Sequence, residues 1–501
     1  MKTMQYVSTL PAVDYKTIVS NNYSFSAAQY RGFRIKNKNR KKVREFLVRP
    51  LTRNDLGVEV GSLNYIEYSP CKFLRTKGLQ PHSFIPDITS ESLEFVRPNA
   101  FVNCHLTEGD IILSKDSNIG EVAMLERDYP DTMLSGAIYK LPVGADKYYL
   151  FAFLKHPLFK EQLDYLTPKG SVIRHCKTLF LDCEIPIPNV ETDATMKYIE
   201  TIVKAIVTKE RLITERHNEI LRLIEKEIDN NQAGREFSYE MPTYSEIREL
   251  GRLDSKPYCE TFKKAIFKIK NYKGGYQTIE GLGFTMSRGQ NLQVSSIGKS
   301  IYSDIYYPGF YTLMLPKSFS RFGTCEKIKY LGNPRALKTL KVGDLIFGAE
   351  GFEKGRSIVV VESSSKTITN IHGITIKQEA HGNLTDAVFV KCFLDYLRNY
   401  GLIDMLAVGG NGGSLAQKYW GLIPFPVFPE RLKTRIAKLY HNADADYDAV
   451  HITDSNFEAR NAAFDKIAGI CELDKIVKHL KLLLNSAIEK IANDEMVVRE
   501  Y

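Results

Sequence analysis

The sequence predicts an α/β (α+β) fold built twice: two globular modules in a pseudo-twofold arrangement, separated by long antiparallel coiled-coil helices. Three observations carry this expectation. Landmarks of the first half recur in the same order about 230 to 240 residues later. Each copy ends at a stretch where alternating prolines stop regular strand pairing. A helical segment follows each of those ends.

The landmarks come in order. Ser24-Phe25-Ser26-Ala27-Ala28-Gln29-Tyr30 shares an x-apolar-polar-small-x-x-Tyr shape with Arg252-Leu253-Asp254-Ser255-Lys256-Pro257-Tyr258. Thr107-Glu108-Gly109-Asp110-Ile111-Ile112-Leu113 matches Lys341-Val342-Gly343-Asp344-Leu345-Ile346-Phe347, in each case a Gly-Asp turn entering an alternating apolar strand. Tyr148 to Leu163 matches Ala387 to Leu402, both with helical spacing of aromatic and aliphatic residues. Gly170-Ser171 matches Gly413-Ser414, and Ile185-Pro186-Ile187-Pro188 matches Ile423-Pro424-Phe425-Pro426.

From Asp193 to about Asp229 there is neither glycine nor proline. Ile199, Ile206, Ile213 and Ile220 recur every seven residues, with Met196, Val203 and Ile224 on the companion position. Glu210 and His217 interrupt that companion row as polar residues expected to fix register and partner. Thr192 and Asp193 offer caps at the start, and Asn230-Asn231-Gln232-Ala233-Gly234 ends the helix. Such a helix of about 37 residues is about 55 Å long, or roughly 16 base pairs of B-DNA. The second helical region reads as a short helix over Glu430–Tyr440, a polar inserted loop over His441–Asn456, and one helix from Phe457 to about Asn493. Leu473, Val477, Leu480 and Leu484 form the seam of that last helix. The two heptad helices either pair with each other, antiparallel, or pack separately on their own modules. The expected boundaries are module one at 1–190, a central spacer at 191–234, module two at 235–428 and C-terminal spacer helices at 429–501.

Composition bounds the chemistry. At 501 residues, 44% hydrophobic and 25% charged, the chain suits two or three soluble globular domains. The net charge of +9 favours polyanionic partners only mildly. Eight scattered cysteines form no Cys-x-x-Cys pair, which argues against a zinc site and a disulfide scaffold. MKTMQYVSTLPAVDY lacks the apolar core of a secretion signal, and no stretch is apolar for the roughly 18 residues that a membrane span needs. The expectation is a cytoplasmic protein with no membrane partner and no metal.

Catalytic motifs are missing. Ser296-Ile297-Gly298-Lys299-Ser300 has Gln293 where a phosphate loop needs its first glycine, and Gly281-Leu282-Gly283 lacks the third glycine of a dinucleotide fingerprint. The Asn-Pro-Pro-Phe and Asp-Pro-Pro-Tyr motifs of amino-methyltransferases are absent, as are Gly-x-Ser-x-Gly and His-Glu-x-x-His. No catalytic residue is selected.

Basic and polar loops remain. Between Arg31 and Arg53 stand ten basic residues and one acid, Glu45; within this run Arg40, Lys41, Lys42 and Arg44 are candidates for phosphate contact, or else a solvated surface loop. Ser287-Arg288-Gly289-Gln290-Asn291 combines a donor fork for guanine with amides suited to adenine, and serves equally well as a turn held by its own amides. Gly409-Gly410-Asn411-Gly412-Gly413-Ser414 opens a short helical stretch containing Lys418. Its counterpart, Pro168-Lys169-Gly170-Ser171, leads to Arg174 and Lys177. Exposed amides at such a start favour a phosphate, with a flexible turn as the alternative. The loops at Lys115 and Asn118 in one copy, and at Lys354 and Arg356 in the other, are base or backbone contacts or ordinary hairpin tips.

The arrangement resembles the specificity (S) subunit of type I restriction–modification systems. The residues carrying the resemblance are Arg252-Leu253-Asp254 with Tyr258, Gly109-Asp110-Ile111-Ile112-Leu113-Ser114 with Asn118-Ile119-Gly120, and the two proline-rich ends followed by long helices. It covers nearly the whole chain. The resemblance implies two target-recognition domains, each reading half of a bipartite site on double-stranded DNA. It also implies an antiparallel coiled coil that sets the spacing and docks two modification subunits, which methylate adenine. The chain itself is then non-catalytic and without cofactor. S-adenosylmethionine, ATP and Mg belong to the methyltransferase and the restriction/translocase partners of this phage-defence machinery. The 441–456 insertion departs from the family pattern. A coiled-coil protein-binding scaffold, a stand-alone enzyme or the specificity subunit of another methyltransferase-based defence system are the alternatives.

Overall fold

The computed structural model describes residues 6–9, 12–20, 23–25, 30–89, 92–167, 175–362, 366–378, 382–410, 412–447 and 451–501. The chain divides into two units: 1–211 with 447–463 and 475–501, and 212–446 with 464–474. The division falls inside three helices, so each unit keeps its own share of the spacers.

Unit 1 begins with β1 (Val7–Thr9), α1 (Tyr15–Ser20), β2 (Arg31–Phe33), β3 (Arg40–Lys42), β4 (Tyr65–Ile66), β5 (Lys72–Leu74) and β6 (Leu93–Val96). It continues with β7 (Ile111–Ser114), β8 (Val122–Met124), β9 (Thr132–Leu134), β10 (Ile138–Leu141), α2 (Lys147–Lys155), α3 (Pro157–Leu166) and β11 (Glu184–Pro186), then enters α4 (Thr192–Asn230). A four-stranded sheet has the order β4-β6-β5-β9, with β5 and β9 parallel; a second sheet has the order β10-β7-β8, and β3 pairs with β11.

Unit 2 contains α5 (Tyr244–Leu250), α6 (Glu260–Lys270), β12 (Tyr276–Gln277), β13 (Phe284–Arg288), α7 (Val294–Ile297), β14 (Ile301–Ser303), β15 (Tyr311–Met314) and β16 (Ile328–Gly332). Then come β17 (Leu345–Gly348), β18 (Ser357–Val359), β19 (Thr367–Ile368), β20 (Gly373–Gln378), α8 (Leu384–Asn399), α9 (Leu402–Leu406), β21 (Phe425–Pro426) and α10 (Glu430–Tyr440). Its sheets have the orders β14-β16-β15-β19, with β15 and β19 parallel, and β13-β20-β17-β18, while β12 pairs with β21. Apart from the β1–β2 pair of unit 1 and β13 at one edge in unit 2, this is the order of unit 1. The duplication read from five short landmarks is therefore a duplication of topology.

The Gly-Asp turns behave as the spacing requires. Gly109 and Gly343 take φ of 82° and 89°, a left-handed conformation that side chains resist. The strands they launch are buried on both faces rather than alternating, because helices cover one side and the second sheet the other. Pro157 divides the helical stretch of the first copy into α2 and α3, whereas α8 runs unbroken for 16 residues.

Helix α4 has 39 residues, about 58 Å at 1.5 Å per residue. Ile199, Ile206, Ile213 and Ile220 are buried along it, as are Leu473, Val477, Leu480 and Leu484 along α12 (Ile470–Ala492). In unit 1 the two run antiparallel: Asn189, just before α4, donates to Asp494 at 2.7 Å, while Glu210 pairs with Lys481 at 2.5 Å. The single helix expected from Phe457 to Asn493 is instead two, α11 (Phe457–Ile467) and α12. Gly469 lies so close to the Tyr440 backbone that a β-carbon there would stand 2.8 Å from it. The Glu472 carboxylate holds the break, accepting from the amides of Gly469 and Asn442 (both 3.0 Å) and meeting His441 at 2.6 Å.

The polar interruptions of α4 also turn to loops of the sheet domains: Glu210 meets one as well as Lys481 of α12, and His217 meets another. Glu210 accepts from the amides of Phe84 (2.7 Å) and Ile85 (3.2 Å) and from the Ser83 hydroxyl (3.1 Å). Lys155, buried in α2, donates to the carbonyls of Gln80, Ser83 and Val122, and burial pushes its pKa down to about 7. In unit 2 Lys391 of α8 donates to Phe322 (3.0 Å) and Asp395 (2.6 Å) beneath the Tyr440 ring, whose hydroxyl donates to Gly323 (2.7 Å). His217 packs edge-on against Phe322, and burial holds its imidazole well below the ordinary pKa. Replacing Glu210 by Ala strands two buried amides, so E210A is expected to cost about 2–4 kcal/mol in denaturant unfolding.

His156 gives a pH signature. Its Nδ1 accepts the Leu158 amide at the start of α3, and burial holds its pKa down to about 4. The unfolded chain binds that proton near pH 6.5. Between pH 6.5 and 4 the unfolded state therefore holds more protons, and stability falls as pH falls, by about 3 kcal/mol in all. Stability against urea measured across that range should show this slope, and H156N, which keeps an acceptor without the titration, should flatten it.

Candidate nucleic-acid interface

The sequence-selected loops meet in pairs at the same place in each unit. In unit 1 the β7–β8 hairpin tip carries Lys115 and Asn118, and Asp116 forms a strand bridge with His175. In unit 2 the β17–β18 tip spans 349–356, and Glu350 forms the same bridge with Ser414. The hairpin tip and the glycine-rich segment were read as separate candidates; main-chain bonding joins them. Cys176 donates its amide to Lys115 (2.9 Å) in one unit, and Leu415 to Ala349 (2.9 Å) in the other.

Each rim centres on a carboxylate flanked by a cation and an exposed imidazole. Asp116 meets Lys115 at 2.5 Å and His175 Nδ1 at 2.7 Å. Glu350 meets Arg288 at 3.1 Å and His372 Nδ1 at 2.7 Å. Asp116, His175, Glu350 and His372 were missed because the sequence search weighed cations and amides; the signal lay in the repeat, which aligns Asp116 with Glu350. Such a rim offers donors and acceptors together, the mixture that base edges require.

The other candidates divide. Arg288 reaches out from the end of β13 and also donates to the Ile371 carbonyl. Asn291 accepts the Gln293 amide and holds the local turn, whereas Gln290 accepts the amide of the distant Lys338. Lys354 is buried; its ammonium donates to the Gly412 carbonyl at 2.6 Å and pairs with Asp404, which makes it a brace between the loops. Arg356 likewise donates to the Phe319 carbonyl (2.9 Å) and pairs with Glu353. Asn118 donates to Thr76, Lys177 is exposed at φ 48°, and Lys418 lies exposed over the Tyr419 ring. Gly170, Ser171, Arg174 and Asn411 lie outside the described residues.

The basic run is not a loop. Arg40, Lys41 and Lys42 form β3 against β11, and Arg44 sits in the 3-10 turn that follows. Arg40 pairs with Glu184 at 2.6 Å, Lys42 with Asp182 at 3.4 Å, and Arg44 also with Asp182. Two acids from a segment 140 residues away thus offset much of the charge that sequence reading left unopposed. Lys41 stays exposed.

None of the eight cysteines is in a disulfide, no metal-ligand cluster occurs among the described residues, and none of their helices is long and apolar enough to cross a membrane. No family model and no curated protein matches the sequence. Among solved structures, the chain is similar to the type I restriction–modification system S subunit from M. genitalium. That match has 12% identity and a TM-score of 0.39, covering 91% of this chain and 96% of that one. A chain from a study of complex assembly and conformational transition of the type I R-M system matches at 13% identity and TM-score 0.27, covering 91% and 98%. The HsdS subunit from Thermoanaerobacter tengcongensis matches at 12% and 0.24, covering 91% and 97%. Correspondence this loose transfers no residue roles.

The braces and the exposed cations should separate in stability. K354M is expected to lower the thermal midpoint by several degrees, through loss of about 2 kcal/mol. K177A and K418A should leave it within about one degree; differential scanning calorimetry distinguishes the two classes.

Proposed function

We propose that this chain is the DNA sequence-specificity subunit of a type I restriction–modification complex. Each unit reads one half of a bipartite target on double-stranded DNA through its loop rim, and the spacer helices set the distance between halves and dock two methyltransferase subunits. The chain is non-catalytic. Adenine methylation with S-adenosylmethionine and ATP-dependent restriction with Mg reside on partner subunits, and the complex works in the cytoplasm.

One observation carries the reading: the same strand order is built twice, and each copy presents a hairpin tip bonded to a second loop at equivalent positions. A stand-alone enzyme has no need of two equivalent rims. A split DNA site does, because a protein with two like readers matches a target with two parts.

The test is co-expression with the methyltransferase encoded beside it, followed by genome-wide mapping of methyladenine. A gapped two-part motif is expected. Exchanging residues 1–190 for those of a relative should then alter one half of the motif and leave the other; a change in both halves would refute the one-unit, one-half assignment.

A further inference from the structure

In unit 2, α10, the later part of α4 and the end of α11 enclose an open depression of about 380 Å³. Five cations surround it: Arg216, Arg431, Arg435, Lys438 and Lys466. Among the described residues two carboxylates pair with them, Glu219 at 3.1 Å from Arg435 and Asp444 at 2.9 Å from Lys438. The side chains of Arg431 and Lys466 make no ion pair among the described residues, and both are exposed. Arg216 donates to the carbonyls of Asp465 and Lys466 at the end of α11, while its Nε is buried with no partner. Between the cations lies an apolar floor of Leu439, Ala468 and Ile467, the last half exposed.

Like charges held this close repel one another, and an exposed isoleucine among them gains nothing from water. The combination selects its ligand. A phosphate backbone satisfies the cations but puts nothing apolar on the floor. An amphipathic helix does both, with carboxylates three and four residues apart flanking an apolar side chain. The depression also belongs to one repeat. Counting from the proline that closes each copy, Pro188 and Pro426, Asp193 and Glu200 stand where the second copy has Arg431 and Lys438.

We propose that this depression docks one acidic, amphipathic helix of a protein partner, bound at the second repeat and not the first. The adaptor reading enters only in taking the co-encoded methyltransferase and restriction subunits as the proteins to probe. Binding here is charge-steered and weakens with salt.

Carbodiimide coupling of the assembled complex joins lysine amines directly to carboxylates in contact with them. Lys438 and Lys466 should couple to Asp or Glu residues spaced three or four apart on a single partner segment. The R431E/R435E variant, with its fold checked by circular dichroism, should lose those links and bind that subunit at least tenfold more weakly; I467D should weaken it too, without touching charge. Links confined to this chain, or subunit binding unchanged in both variants, overturn the proposal. So does a charge variant that assembles normally but binds duplex DNA with a shallower salt dependence, which makes the depression a phosphate contact. The adaptor reading fails by a different result, a wild-type complex that leaves no gapped methyladenine pattern.

Discussion

A buried lysine in each unit fixes where the sheet domain meets its helices. Lys155 and Lys391 stand on the helices that cover the central sheet, and each donates to carbonyls of the loop after a short 3-10 turn. That loop is then held from outside, by Glu210 and Lys481 in one unit and by Tyr440 in the other. Burying an ammonium is tolerable only when its donors are all satisfied. Carbonyl groups meet that need at Lys155, and a carboxylate shares it at Lys391. The two copies keep the lysine and its place, and differ in the groups that satisfy it.

Much of the architecture was legible because it rests on periodicity. The heptad isoleucines gave α4 to within a residue at either end, and the landmarks gave a repeat that the strand order bears out. What was not legible rests on contacts between residues far apart in sequence. No local pattern tells that Asp182 and Glu184 will neutralise Arg40, Lys42 and Arg44. Nor does the 457–493 pattern mark its own break, because Gly469 is placed by the Tyr440 backbone rather than by its neighbours.

The candidate rim shows the same division. Lys115, Asn118 and Arg288 were picked out as polar residues beside strands, and the structure places them at the rims, Lys115 half-buried. Lys354 and Arg356 looked alike in sequence but turn inward, Lys354 to the Gly412 carbonyl of the glycine-rich loop and Arg356 to the Phe319 carbonyl. Asn291 bonds within its own turn, and Gln290 reaches the Lys338 amide. Charge type alone does not separate a reader from a brace; the carbonyls within reach do.

The bonds that join the two loops of each rim run from main chain to main chain. In unit 2 Leu415 donates its amide to the Ala349 carbonyl and Gly351 donates to Gly413, while Val408 and Ser414 exchange amide and carbonyl within the glycine-rich segment. Exchanges of this kind ignore side-chain identity. The outward-facing positions between them are therefore free to vary while the frame stays put, so altered preference at the rim demands no new fold. Diversification of this surface is cheap by construction.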